Sequence, residues 1–303
     1  FMDLVKGEQS FATNDLDDFI VRKKDSSPTF MFANAIDDSL MGVDLVLRGD
    51  DHLSNTPRQI ALLKSLNLSL PQFAHVSLFT GSDGAPLSKR NGSLSINDLR
   101  EMGYLPIAVA NYLSRVGHTI NDNDLKTQKE LADSFETKNI SSSPSKFDLD
   151  QLLFWQKKAV DNLTIDECAS WLSGNLDNLP PTVQERSFIE LIKENINFPS
   201  EAREYVNNLF INALSGDEEN LKIIQSAGQE FFILALEVVN PGISDWKQTC
   251  KDIEARTGKK GKELFMPLRV AITGQTRGPE LDKVIELIGL ERVLERLKEA
   301  SQI

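Results

Sequence analysis

Leu45-Val46-Leu47 is an unbroken apolar run that ends at Arg48-Gly49 and gives way, a few residues later, to Thr56-Pro57. A strand with no polar side belongs in a parallel sheet covered on both faces. Thr56 and Pro57 read as N-cap and first helical residue, and Ile60, Leu62, Leu63 and Leu66 give the following helix a buried side. Asn67-Leu68-Ser69-Leu70-Pro71 breaks the chain, and Phe73 to Phe79 reads as the next strand. Strand, helix and strand in this order call for an open α/β sheet, and such sheets bind ligands at the carboxyl ends of their strands. Arg48 stands at one of those ends.

Directly after the second strand comes a glycine-rich loop, Gly81-Ser82-Asp83-Gly84-Ala85, and then Pro86-Leu87-Ser88-Lys89-Arg90-Asn91-Gly92. An ammonium and a guanidinium on such a loop can close over a polyphosphate, whose transfer needs positive charge on the departing oxygens. Taken alone, Ser-Lys-Arg is a solvated basic turn; its position after the sheet gives it interest. Ser95 with Asp98 reads as a capping box, and Pro106 to Val116 as a helix closed by Gly117. Phe19 to Arg22 reads as an early strand, and Asn139 to Ser145 as the most linker-like stretch. Beyond Phe147 the pattern is helical, with a break near Ser215-Gly216-Asp217. The fold class is therefore α/β, then all-α. Three regions are expected: 1–80, 81–147 and 148–303, the last with a sub-boundary near 216.

A chain of 303 residues with a net charge of -12 is no simple cationic nucleic-acid binder. A local basic patch is still compatible with a nucleic-acid partner. Nothing approaches the apolar length of a membrane span, so a soluble cytoplasmic protein is expected. Two distant cysteines, Cys168 and Cys250, read as reduced core thiols, and no metal site is expected.

Arg48-Gly49-Asp50-Asp51-His52-Leu53-Ser54-Asn55-Thr56-Pro57-Arg58-Gln59, followed by the Ser88-Lys89-Arg90-Asn91-Gly92 loop, resembles the bacterial glutamyl-tRNA synthetases, class I aminoacyl-tRNA synthetases. Three further segments agree in order. Phe30 to Asp38 with Met41-Gly42 resembles the family's strand beside the amino acid. Gly103-Tyr104-Leu105-Pro106 through Leu113 resembles the helix after its signature loop. Met266-Pro267-Leu268-Arg269 through Gly274, with Gly278-Pro279-Glu280-Leu281, resembles its anticodon-binding end. The family's first signature, His-Ile-Gly-His or a close variant, and its zinc knuckle have no counterpart. The resemblance thus implies a carboxyl-terminal portion of a longer synthetase, expected to be inactive alone. It implies the second half of a class I Rossmann-type catalytic domain, a helical stem-contact region and an α-helical anticodon-binding domain. The helical second half favours a glutamyl over a glutaminyl enzyme, whose corresponding part is a β-barrel.

The implied activity is ATP-dependent attachment of L-glutamate to tRNA-Glu through a glutamyl-adenylate, with ATP and Mg²⁺ required, by a commonly monomeric enzyme. A non-catalytic tRNA-binding module, or a paralogue charging glutamate onto tRNA-Gln, is the alternative. Residue by residue, the resemblance places Lys89 on the ATP phosphates as the catalytic cation, with Ser88 and Arg90 beside it; Pro86 stands where the family's first signature lysine is. His75 falls near the nucleotide in the family, although a core or strand-end histidine is its plainer reading. Arg48 becomes a bidentate clamp on the glutamate carboxylate; from the residues alone, an internal salt bridge to Asp50, Asp51 or Asp37 is the rival. Asp51 and His52 either shape the amino-acid pocket or merely start the helix. Phe30 stands where many relatives carry tyrosine, and the lost hydroxyl contact costs about 0.5–1.5 kcal/mol. On a strand, Phe30, Phe32 and Asn34 would share a face, making Asn34 a polar contact. Arg256, Lys259, Lys260, Lys262 and Arg269 form the dense basic stretch that could meet tRNA; about half of such a run is a solvated face. In the full-length protein, Lys89→Ala is expected to slow adenylate formation about 10²-fold with stability nearly unchanged. Pre-steady-state kinetics at the wild-type rate would refute that role for Lys89.

Overall fold

A computed structural model describes residues 1–81, 84, 87, 94–120, 122–214 and 218–303. Ser88, Lys89 and Arg90, with Pro86, and the break expected at 215–217 lie outside the described residues. Two compact units are present, Phe1–Trp155 and Gln156–Ile303.

The first unit is built on a four-stranded sheet of order β2-β1-β4-β3, from β1 (Met2–Asp3), β2 (Gly7–Glu8), β3 (Leu45–Gly49) and β4 (Gln72–Val76). β1 and β2 form an antiparallel hairpin, while β1 and β3 each run parallel to β4. Helix α1 (Phe30–Leu40) precedes β3 and packs against α2 (Thr56–Ser65), which follows it. The parallel register pairs Val46 with Phe73 and Arg48 with His75. Side chains alternate along a strand, so Arg48 and His75 point to the same face of the sheet while Leu47 and Ala74 point to the other.

Three expectations are corrected here. Phe30 to Asp38 is a helix, not a strand. The run is dominated by unbranched and aromatic side chains with Ala33 and Ala35 among them, which a helix accommodates easily. The helical period keeps Phe30 and Asn34 on one face at i and i+4, and turns Phe32 away from it. Phe19 to Arg22 is not a strand: only an antiparallel bridge joins Arg22 to Pro28, across a turn in which Lys23 N–H donates to the Ser27 carbonyl (2.8 Å). Ile20 is 72% exposed, so no apolar face holds that segment to the sheet. Thr56 is the first residue of α2 rather than its cap, because a 3₁₀ turn, Asp50–Asn55, leads into the helix. Its hydroxyl is thereby released for other work.

Farther along, β5 (Phe79–Thr80) pairs in parallel with β6 (Ser145–Lys146). Between them lie α3 (Ile96–Met102), α4 (Pro106–Leu113) and α5 (Gln128–Asp133). The Ser95–Asp98 capping box is present, with both reciprocal bonds made. α4 ends three residues before the expected Val116, and Gly117 turns the chain at φ +81°. The linker-like serine stretch is tied down: Ser141 N–H donates to the Gly117 carbonyl (2.7 Å), and the Ser142 carbonyl accepts from Lys6 Nζ (2.7 Å). Composition suggested a linker, yet backbone bonding makes these residues a strap. α6 (Leu149–Asn162) contains the boundary between the units.

The described regular structure of the second unit is helical: α7 (Ile165–Trp171), α8 (Glu185–Ile192), α9 (Pro199–Val206), α10 (Glu218–Ala227), α11 (Gln229–Val239), α12 (Trp246–Thr257), α13 (Lys262–Thr273) and α14 (Leu281–Ala300). Phe188, Ile192, Phe232, Ile253, Leu268 and Leu297 meet in its core, each fully buried. Cys168 and Cys250 are free and buried, and burial pushes the Cys250 thiol up to about 11. Arg296 is also buried, at 1% exposure. It donates to the carbonyls of Asn212 (2.7 Å) and Asn208, capping the widened π-helical turn Asn207–Ile211. Among the described residues no helix is long and apolar enough to cross a membrane.

Candidate functional site

Arg48 leaves the carboxyl end of β3, and every contact it makes there is with a neutral acceptor. Its Nε donates to His75 Nε2 (3.2 Å) and its NH2 to Thr56 Oγ1 (2.8 Å) and Gln59 Oε1 (2.7 Å); NH1 makes only a long bond to Asn34 Oδ1 (3.4 Å). The guanidinium also lies over the Phe73 ring, 5.7 Å from its centroid. Among the described residues no carboxylate is within ion-pair distance of it, so the salt bridges to Asp37, Asp50 or Asp51 considered from the sequence are not formed. Burial lowers the Arg48 pKa, and the more distant Asp38 and Asp51 charges partly offset this. A half-buried guanidinium without a direct counter-ion is an anion site. Three of its five N–H donors are committed, so an incoming carboxylate meets NH1 and not a free two-nitrogen fork.

Asn34 joins this cluster from α1. Its Oδ1 accepts from Gln59 Nε2 (3.1 Å) as well as from Arg48, and its side chain hydrogen-bonds Asp38. Phe30, one turn earlier and 55% exposed, lies against the His52 ring with centroids 5.3 Å apart. His52 Nδ1 is 3.0 Å from Asn55 Nδ2, and its Nε2 is 3.7 Å from the exposed Asp51 carboxylate. Phe30, His52 and Asp51 thus form a rim around a buried polar base. A Cβ at Gly49 would meet the end of the exposed Asp51 side chain, which could swing aside, and the Leu78 side chain at 3.1 Å.

His75 lies beneath Arg48 and is fully buried. A nucleotide contact, one expectation for this residue, is not open to a ring with no exposed atom; the core reading is the one its surroundings support. Its Nδ1 donates to Asp3 Oδ2 (2.6 Å), and its Nε2 is 3.0 Å from Thr56 Oγ1. Asp3, 2% exposed, accepts at Oδ1 from the backbone N–H of Val5 (3.0 Å), Lys6 (2.8 Å) and His75 (3.2 Å). Burial pushes the Asp3 pKa up, but these donors together hold it below its ordinary 3.8. Lys6 crosses to Asp50 (2.9 Å) and Ser77 Oγ (2.7 Å), which burdens Asp50 with a structural role at the edge of the site.

Asp3, Lys6, Thr56 and Gln59 escaped the sequence reading. Thr56 and Gln59 carried one faint signal: they are polar residues at i and i+3 on the same side of α2 as Leu63, and all three are buried. Asp3 carried none, since it reaches His75 across 72 residues of sequence.

The opposite face of the sheet opens on a separate cavity of about 420 Å³ lined by Leu47, Val76, Leu78, Phe79 and Val116 among others, with no Lys, Arg, Asp or Glu among the described residues of its wall. In the second unit the basic stretch is partly neutralised: Arg256 pairs with Glu237 (2.7 Å) and Lys260 with Glu254 (3.2 Å). Lys262 is exposed and Lys259 half-buried. Arg269 donates to the Pro279 carbonyl (2.9 Å), pinning the loop after α13. That loop borders a polar hollow of about 450 Å³ shared by Tyr205, Asn208, Asn220, Gln275 and Arg277. At Gly278 (φ +139°) a Cβ would come within 3.0 Å of the Tyr205 hydroxyl. Among the described residues no group of three or more His, Cys, Asp or Glu could hold a metal.

The family to which this sheet and helical unit belong is given by comparison with known proteins. Residues 1–154 match the catalytic domain of the class I tRNA synthetases (E and Q), and residues 164–301 match an anticodon binding domain. The chain belongs to that class I tRNA synthetase family. Its relatives include glutamate–tRNA ligase 1 of Halorhodospira halophila (strain DSM 244 / SL1), 45% identical over 303 residues, covering 100% of this chain and 63% of the relative. Glutamate–tRNA ligase 2 of Nitrosococcus oceani is 44% identical over 298 residues, or 98% of this chain and 63% of the relative. The chain therefore spans about 63% of the length of these curated relatives. The crystal structure of a glutamate tRNA ligase from Elizabethkingia meningosepticum in complex with its amino acid has the same fold, with TM-score 0.85 and 24% identity, covering 100% of this chain and 65% of that one.

Asp3 dictates an acid dependence. Its stabilising contribution is fully present above the unfolded carboxylate range near 3.8 and is lost as pH falls through its lower folded value. The stability gap between wild type and Asp3→Asn is therefore constant near neutral pH and narrows only in acid, as urea titrations across that range would record. A gap independent of pH down to full acid unfolding would contradict the assignment.

Proposed function

We propose that the protein carrying this chain attaches glutamate to tRNA-Glu in two steps, with Arg48 as the anchor of the amino acid. The observation that carries this reading is the half-buried Arg48 guanidinium, ringed by neutral acceptors with no carboxylate of its own in direct contact. The carboxylate assigned to Arg48 is that of the glutamate side chain, which leaves the α-carboxylate to attack the α-phosphorus of ATP. Asn34, Gln59 and Thr56 hold the guanidinium from the sides; Phe30, His52 and Asp51 bound the space above it. Attack forms the acyl–phosphate bond and expels pyrophosphate, leaving glutamyl-adenylate. A terminal ribose hydroxyl of the tRNA then attacks the acyl carbon and releases AMP.

Lys89, flanked by Ser88 and Arg90, serves the leaving pyrophosphate in this scheme, supported by the Ser-Lys-Arg motif following β5. Mg²⁺ enters this scheme as the partner of ATP's phosphates, in keeping with its preference for substrate phosphate and water. Residues 1–80 are the catalytic half-domain, 81–147 the loop and stem-contact region, and 148–303 the anticodon-binding region. The family resemblance supports a cytoplasmic monomer.

tRNA binding falls to the second unit. Lys259, Lys260 and Lys262, with Arg256, meet phosphates, and Arg269 holds the loop beside the polar hollow, where unstacked anticodon bases find hydrogen-bond partners.

Two measurements test the scheme. In the full-length protein, Arg48→Ala is expected to raise the glutamate KM in ATP–pyrophosphate exchange about 10- to 150-fold, the value of one or two charged hydrogen bonds, with the ATP KM little changed. An unchanged glutamate KM refutes the anchor. Reversing charge at Lys259, Lys260 and Lys262 together is expected to weaken tRNA binding and lower its salt slope by roughly 2–3 units; equal affinity and slope would remove these residues from the interface.

A further inference from the structure

We infer that Asp3 and His75 are positioning residues for Arg48: Asp3 fixes the neutral Nδ1–H form of His75, whose bare Nε2 receives the Arg48 Nε–H and sets the plane of the guanidinium. This relay rests on the reading of Arg48 as the carboxylate anchor and extends it to groups that never touch substrate.

The protonation state follows by elimination. Arginine Nε can only donate, so His75 Nε2, 3.2 Å away, carries no proton. The proton is on Nδ1, which is 2.6 Å from Asp3 Oδ2. Oδ1 of the same carboxylate is fixed by three backbone N–H groups, so Asp3 cannot rotate away. Thr56 completes the arrangement: its hydroxyl accepts from Arg48 NH2 at 2.8 Å and lies 3.0 Å from His75 Nε2. Asp3, Thr56 and His75 are each buried to within 2%. The sheet itself delivers the geometry, since β4 lies between β1 and β3 and its register sets His75 opposite Arg48. Three neutral acceptors hold Nε and NH2 from behind, leaving NH1 directed to the ligand without a competing anion. A carboxylate placed directly on Arg48 would orient it equally well but would compete with the substrate for the same charge.

The role differs from simple packing in what it moves. Asp3→Asn can offer its amide N–H₂ to Nδ1, which drives the His75 proton to Nε2 and sets two donors face to face at Arg48. In the full-length protein this variant is expected to raise the glutamate KM about 10-fold, with the ATP KM and kcat within about 2-fold of wild type. His75→Gln, which retains an acceptor oxygen near Nε2, is expected to preserve more glutamate affinity than His75→Leu. The decisive comparison is coupling: in an Arg48→Ala background, Asp3→Asn should raise the glutamate KM no further. Melting temperatures identify any variant that fails to fold, and Asp3→Asn, close in shape, carries the test if His75→Leu does. An Asp3→Asn effect of equal size with and without Arg48 overturns the relay, as does a glutamate KM at the wild-type value. If Arg48→Ala leaves the glutamate KM unchanged, the anchor and the relay both fall; if it raises KM while Asp3→Asn does not, only the relay does.

Discussion

The site depends on a single problem of solvation: Arg48 must remain charged while half-withdrawn from water. Burial alone depresses its pKa, and no carboxylate among the described residues touches it. What keeps it in place is a set of neutral oxygen and nitrogen acceptors drawn from three segments, α1, α2 and β4, with Asp3 of β1 behind His75. Each acceptor needs its own partner, so the constraint spreads outward. Asn34 is satisfied through Gln59 and Asp38, His75 through Asp3, and Asp3 through the turn that follows β1.

That chain of dependence explains the local irregularities. A helix beginning with an ordinary capped Thr56 would use the hydroxyl on its own N–H groups. The 3₁₀ turn Asp50–Asn55 rotates Thr56 into the first helical turn, and its side chain serves Arg48 and His75 instead. In the second unit a similar logic applies without a ligand: the π-helical turn Asn207–Ile211 leaves carbonyls unmatched, and the buried Arg296 satisfies them.

How much of this was legible follows from the reach of each interaction. β3, its arginine terminus and α2 were readable because burial on both faces and a Thr-Pro start are local signals. The helical character of the second half was readable for the same reason. α1 was misread because a short apolar run rich in aromatics fits either period, and only packing against α2 decides it. His75 was readable as a core or strand-end histidine, but its pairing with Asp3 was beyond reach because strand register, not spacing, brings the two together. Arg296 is set among Glu291, Arg292, Glu295 and Glu299 and so resembles a solvated face, yet it is core. The bidentate clamp was chemically reasonable for arginine, but a sequence cannot show how many donors are already committed.

Lys6 carries a further meaning. Its ammonium joins Asp50, Ser77 and the carbonyl of Ser142, the last 136 residues away. Helices such as α2 close over a few residues and form early, whereas a contact of that span must wait for long loops to close. The stitch at Lys6 is therefore a late event in assembly. Since Lys6 and Asp3 share the turn after β1, the buried support of Arg48 matures with it. Until the serine strap, 136 residues farther along, has been made, Lys6 has only Asp50 and Ser77 to hold.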